Sequence, residues 1–217
     1  MIGVVIPAHN EEALLDGCLE SVERAARHPS LGGEEVRVVV VLDDCSDGTA
    51  RVARRWGAHA LCIDARNVGR ARAEGCAWLL EQGAWWLAHT DADSRVSSTW
   101  LAAQLALDVD AVCGVVEVED WSPHPLRVRH RHERAYMDAD GHSHVHGANL
   151  GVSARAYLRA GGFLPLPVHE DVALVHALRR AGALIAWSAG PRVVTSARRE
   201  PRARGGFGDH LRSLDIG

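Results

Sequence analysis

The stretch Ala84-Trp85-Trp86-Leu87-Ala88-His89-Thr90-Asp91-Ala92-Asp93-Ser94 decides the fold. It opens on a short apolar run of the kind found in a strand buried on both faces. Two carboxylates one residue apart follow, just past the strand's carboxyl end, where open α/β sheets bind ligands. Alternation along an extended chain points Asp91 and Asp93 the same way. Converging carboxylates repel unless a cation or a proton lies between them. Hard divalent ions take oxygen ligands and bridge to substrate phosphates, so one reading is a metal–diphosphate site. The other is a solvated loop capping a helix that starts near Ser97.

Upstream, three more apolar runs alternate with helical patterns. Residues 2–6 read as a buried strand that Pro7 ends, since proline cannot donate to a ladder. Asn10 then reads as an N-cap, with Glu11 and Glu12 placed against the helix dipole. Leu15, Cys18, Leu19, Val22 and Ala26 recur at helical spacing. Residues 36–42 form a second strand, which runs into the acidic turn Asp43-Asp44-Cys45-Ser46-Asp47-Gly48-Thr49. A third strand covers 58–63 and a helix covers 70–82. Strands alternating with helices imply right-handed crossovers and a mostly parallel sheet. No Gly-x-Gly-x-x-Gly or Walker loop follows the first strand, which weakens dinucleotide and P-loop readings.

Downstream the pattern is less regular. A helix is predicted over 98–109, a half-solvated strand over 111–119, and a helix or lid over the Arg- and His-rich 121–141. Residues 142–152 read as a strand, Gly161-Gly162-Phe163 as part of a turn, and Glu170-Asp171 as the start of a helix ending near Ala181. Short strands are expected at 184–187 and 192–195, followed by a basic, flexible tail over 197–217.

The 217 residues fit one domain with a sizeable core. A formal net charge of −4 argues against a general nucleic-acid binder. No apolar run reaches membrane-span length, and no signal peptide opens the chain. Five scattered cysteines read as free thiols in a reducing compartment, so a cytoplasmic location is expected.

Taken in order, Val5-Ile6-Pro7-Ala8-His9-Asn10-Glu11-Glu12, Leu42 to Thr49, Asn67-Val68-Gly69, Asp91-Ala92-Asp93, Gly161-Gly162-Phe163 and Glu170-Asp171 resemble the family 2 glycosyltransferases over about residues 2–190. The joint occurrence is more specific than any single motif. The resemblance implies an α/β GT-A fold: a single Rossmann-like domain with a mostly parallel mixed sheet flanked by helices. A nucleotide-sugar half would span about 1–95 and an acceptor half about 96–196. It implies transfer of a sugar from a nucleoside-diphosphate sugar to an acceptor hydroxyl, with Mn²⁺ or Mg²⁺.

Residue by residue, the resemblance puts Pro7, Ala8, His9, Glu11, Asp44, Asn67, Arg72 and Asp91 on the donor nucleotide. Arg70 and Arg72 are both candidates for phosphate, with a helix-surface arginine the ordinary alternative for either. Asp93, with Asp91, matches the metal carboxylates. Asp171, with Glu170 second, matches the general base of inverting members; its plain alternative is an acidic helix start. His146 and Asn149 would line the acceptor pocket, and Arg198 and Arg199 could close over the diphosphate, with Gly205-Gly206 as hinge. A His144-x-His146 metal pair is the lesser reading of those histidines. The implied partners are the donor and a small-molecule or lipid-linked acceptor, with a homodimer open. A retaining transferase on the same fold and a non-catalytic nucleotide-binding module are the alternatives.

Overall fold

The computed structural model describes residues 1–198 and 206–216. Its strands are β1 (Ile2–Ala8), β2 (Val36–Asp43), β3 (His59–Ile63), β4 (Trp86–His89), β5 (Ser94–Val96), β6 (Ala111–Val118), β7 (Leu150–Ser153) and β8 (Ile185–Thr195). Its helices are α1 (Leu15–Ala26), α2 (Thr49–Arg55), α3 (Val68–Glu81), α4 (Trp100–Leu105), α5 (Leu126–Ala135), α6 (Ala154–Ala160), α7 (Glu170–Arg180) and α8 (Phe207–Ile216). The eight strands form one sheet in the order β3-β2-β1-β4-β7-β6-β8-β5. β1 to β4 are parallel, β7 opposes both β4 and β6, β8 follows β6, and β5 opposes β8.

Side-chain alternation makes two cores, one on each face of this sheet. Ile2, Val4 and Ile6 of β1 point to one face and pack with Leu15, Cys18, Val22 and Val52, and with Trp100 and Leu101 of α4. Val5 points to the other, with Leu79 of α3, Tyr157 of α6, and Leu174 and Leu178 of α7. Each such fully buried aliphatic contributes about 1.5–3 kcal/mol, which fits the valine and isoleucine that dominate β1 and β2. Gly3 lies under α3, where a Cβ would come within 2.7 Å of the Leu79 side chain.

Several expected boundaries move. Pro7 lies inside β1, opposite Val41 of β2. The Val5 carbonyl accepts from Thr90 on the β4 side. Pro7, two residues on, faces that same side beyond the last β4 partner, so its missing N–H breaks no ladder bond. Asn10 is not an N-cap: it holds φ 54°, and its side chain accepts from the Ser46 amide at 2.8 Å. The helix begins at Leu15. The expected strand over 142–152 contracts to β7, preceded by a 3-10 turn at Gly147–Asn149. The two short late strands are one, β8, with a bulge opposite Gly114/Val115.

The expected flexible tail ends instead in α8. That helix lies on α5, burying Leu211 with Val128 and Ala197, and Arg131 donates to the Leu214 carbonyl at 2.8 Å. Arg199, Arg202, Arg204, Gly205 and the side chain of His210 lie outside the described residues.

Candidate active site

The carboxyl ends of β1, β2 and β4, the start of α7, the end of α5 and the turn before α8 surround a cavity of about 940 Å³. Its walls include Pro7, Ala8, His9, Glu11, Asn67, Arg72, Asp91, Asp93, His144, His146, Glu170, Asp171 and Arg198. Sequence candidates from six separate segments therefore converge.

Asp91 and Asp93 do not lie on an extended chain. The Ser94 amide bonds back to the Asp91 carbonyl at 3.0 Å, closing a tight turn between β4 and β5. Both carboxylates still face the cavity. Burial pushes the Asp93 carboxyl up to about 6; Arg198 pulls it down, and the charges of Asp91 and Glu11 raise it further. Three acidic groups thus crowd one spot, and cations answer them. The Arg198 guanidinium binds both oxygens of buried Glu11, at 2.8 and 2.6 Å, and reaches Asp93 at 3.1 Å.

Arg72 is the other answering cation, and it settles the choice between surface and interior. It is 1% exposed and donates to Asp91 at 2.6 Å through Nη2 and to Glu170 at 3.0 Å through Nε. It bridges the β4 turn to the start of α7. Its Nη1 is buried with no partner among the described residues. Gly147 lies against this guanidinium, where a Cβ would approach Nη2 to 2.6 Å. Burial raises the Glu170 carboxyl, and the Arg72 charge opposes that.

Glu170 and Asp171 begin α7, entered through His169 at φ 61°. Glu170 is buried and committed to Arg72. Asp171 keeps its carboxylate on the cavity wall, held by the Gly147 amide at 2.6 Å and the Val172 amide at 2.7 Å. Of the five non-glycine residues at positive φ among the described residues, Asn10, Asp44, Arg66 and His169 lie at or beside the cavity. Such backbone strain collects at functional sites.

Two candidates are relocated. Asp44 is not on the wall; it pairs with Arg66, and Asp43 takes its place. Asp43 is buried and collects the amides of Ala65, Arg66 and Asn67 at 2.7–2.8 Å, while its carbonyl accepts from His9 Nδ1 at 2.7 Å. Strand parity was the available signal, since Val39, Val41 and Asp43 share a face. Asn149 does not line the cavity either. It is fully buried, receives the Trp100 indole at 2.9 Å and donates to the carbonyls of Val115 and Pro191. Its amide braces the β6–β8 bulge.

Another part of the wall is made of rings. Tyr136 stacks on His144 with centroids 4.0 Å apart, and His132 and His146 continue the stack on Tyr136. The Tyr136 hydroxyl accepts from the Val116 amide at 2.8 Å, so its own proton goes to His146 Nε2 at 3.1 Å. His144 Nε2 accepts from the Met137 amide. Both histidines are thus tied into the protein rather than presented as a pair to a metal. His132 and Tyr136 were not singled out, because no periodicity marked α5. Among the described residues no three His, Cys, Asp or Glu side chains form a metal cage. The donor set fits a hard divalent ion all the same: two carboxylates, one with its ionisation opposed by its acidic neighbours, opening on a cavity where a diphosphate could complete the shell.

A mixed, mostly parallel sheet flanked by helices, with acidic turns at its strand ends around one cavity, defines an α/β class whose ligand edge is at the strands' carboxyl ends. The sequence model of the family described as glycosyl transferase family 2 matches residues 3–159, so the chain belongs to that family. Solved GT-A structures share the fold. S. aureus TarS (1-349), solved with UDP-GlcNAc, is 13% identical with TM-score 0.69, the match covering 99% of this chain and 65% of that one. The mannosyltransferase PcManGT from Pyrobaculum calidifontis, solved with GDP-Man and Mn²⁺, is 21% identical with TM-score 0.65, covering 94% and 58%. M. tuberculosis glucosyl-3-phosphoglycerate synthase, solved with Mn²⁺ and UDP-glucose, is 18% identical with TM-score 0.62, covering 100% and 75%. The chain spans less than two thirds of the length of the TarS and PcManGT chains. No curated protein sequence matches it. No helix among the described residues is long and apolar enough to cross a membrane.

Proposed function

We propose that this chain transfers a sugar from a nucleoside-diphosphate sugar to an acceptor hydroxyl, with inversion and with help from Mn²⁺ or Mg²⁺. The observation that carries the reading is the Asp91–Arg72–Glu170 bridge, which fixes the paired carboxylates of the β4 turn relative to Asp171 across one cavity. In this reading residues 1–95 are the donor half and 96–196 the acceptor half of one domain. Pro7, Ala8, His9, Asp43 and Asn67 form the nucleotide end.

Asp93 and Asp91 would hold the divalent ion, which supplies Lewis-acid stabilisation of the departing nucleoside diphosphate. Arg72, whose buried Nη1 has no partner among the described residues, would donate to an oxygen of the donor. Asp171 accepts the proton of the acceptor hydroxyl as that oxygen bonds to the anomeric carbon and the bond to the diphosphate breaks. Its two backbone donors hold the carboxylate in place for this. The stacked rings of His132, Tyr136, His144 and His146 face a small-molecule or lipid-linked acceptor. The five free cysteines support a reducing, cytoplasmic setting.

The test is calorimetric binding of UDP, GDP and dTDP, each with and without Mn²⁺, to the wild type and to Asp93→Ala. One nucleotide should bind in a metal-dependent way that the variant loses. The configuration of the transferred sugar, read by anomeric proton coupling, should be inverted. A folded protein that binds none of the three overturns the reading.

A further inference from the structure

Arg198 occupies the place where the proposed site needs its metal. The guanidinium grips buried Glu11 through two nitrogens, at 2.8 and 2.6 Å, and spans to Asp93 at 3.1 Å. A planar, permanently charged fork on a carboxylate is a strong and geometrically specific contact. Here it is also the group that balances the acidic cluster, because Arg72 is already shared between Asp91 and Glu170. Arg198 stands three residues beyond the end of β8, next to a segment that carries several more arginines in sequence. Its side chain is about a quarter exposed, so it can leave without opening the core.

We propose that Arg198 is a resident cation of the active site, and that it and the divalent ion are alternative partners of Asp93, with Glu11 holding the guanidinium in place in the metal-free state. Without ligand the guanidinium pairs with Asp93 and keeps free metal out. When a nucleoside diphosphate enters with its metal, the ion takes Asp93 and Arg198 turns to the diphosphate, whose oxygens offer the same fork geometry as Glu11. Metal and nucleotide then favour one another's binding by more than their direct bond, because each removes an obstacle to the other. The inference rests on the metal–diphosphate reading of Asp91 and Asp93.

The test is Mn²⁺ binding, followed by electron paramagnetic resonance of the free ion, with Arg198→Gln beside the wild type and Asp93→Asn. UDP and GDP binding without metal is measured in parallel. In the absence of nucleotide, Arg198→Gln should bind Mn²⁺ on the order of tenfold more tightly than the wild type, since one positive charge has left a partly buried seat. The same variant should bind the preferred nucleotide severalfold more weakly when metal is absent. A purely structural Arg198 would shift both affinities the same way or neither. Circular dichroism verifies that Arg198→Gln is folded, and Arg198→Lys, which keeps the charge without the fork, should fall between the two on Mn²⁺ binding. Equal Mn²⁺ affinity in wild type and Arg198→Gln, with binding lost in Asp93→Asn, overturns the resident-cation inference and leaves the metal site standing. No Mn²⁺ binding to any folded form, with or without nucleotide, overturns both.

Discussion

The two walls of the cavity are built by different means. On the wall formed by β1, β2 and β4, side chains are set by sheet register: His9 hangs on the Asp43 carbonyl, and Asp43 gathers three successive amides. On the other wall no strand carries His132, Tyr136, His144 or His146; ring stacking and single hydrogen bonds order them. A wall fixed by main-chain register resists substitution of its side chains, whereas a wall of stacked rings can be re-cut by changing one ring. The first suits a ligand part common to many donors, and the second a part that varies.

Arg72 ties the register-fixed wall to the start of α7, so its loss should have the largest effect. Arg72→Met leaves Glu170 buried without its cation and should cost roughly 3–5 kcal/mol of stability by denaturant unfolding. A loss below 1 kcal/mol would mean that the start of α7 is held to that wall by something else.

Asp171→Asn separates chemistry from binding. Transfer should fall about 10²- to 10⁴-fold while nucleotide affinity stays within twofold. An equal loss of both would assign Asp171 to the donor wall.

Asp93 makes the register-fixed wall sensitive to pH. Its carboxyl sits near 6, above the ordinary value, so the folded state holds a proton there that the unfolded chain has released. That proton contributes stability that is present at low pH and is lost as pH rises from about 4 through 6. Metal needs the ionised form, so Mn²⁺ affinity should fall about tenfold per pH unit below 6 and level off above it. Titrations between pH 5 and 8 on wild type and Asp93→Asn check the sign, and a flat wild-type profile would refute it.

The smallest change is expected on the ring wall. Tyr136→Phe removes the hydroxyl between the Val116 amide and His146 and should cost about 1 kcal/mol. Acceptor KM should move with little effect on the nucleotide.

This contrast also explains what could be read in advance. The valine- and isoleucine-rich runs of β1 and β2 declare burial on both faces, and the acidic turns after β2 and β4 declare a ligand edge. That Asp43 rather than Asp44 reaches the cavity wall follows from strand parity carried one residue past the apolar run. Asn149 looked polar and available, and nothing local shows that a bulge in β8 would claim its amide. The ring wall was illegible for a physical reason: His132, Tyr136 and His144 meet through tertiary stacking, which leaves no period in the sequence. Helix α8 escaped notice because its partner, α5, carries only Val128 and His132 as a buried face.

Beside the cavity, the start of α3 also touches the loop before α7 through backbone. The Gly69 amide, at the start of α3, bonds the Leu166 carbonyl at 3.0 Å, and Asn67 donates to the Pro165 carbonyl. A methyl group on Gly69 would come within 2.2 Å of the Leu164 carbonyl oxygen. Here the start of α3 and the 164–166 segment meet main chain against main chain, and a side chain in place of Gly69 would act as a wedge between them.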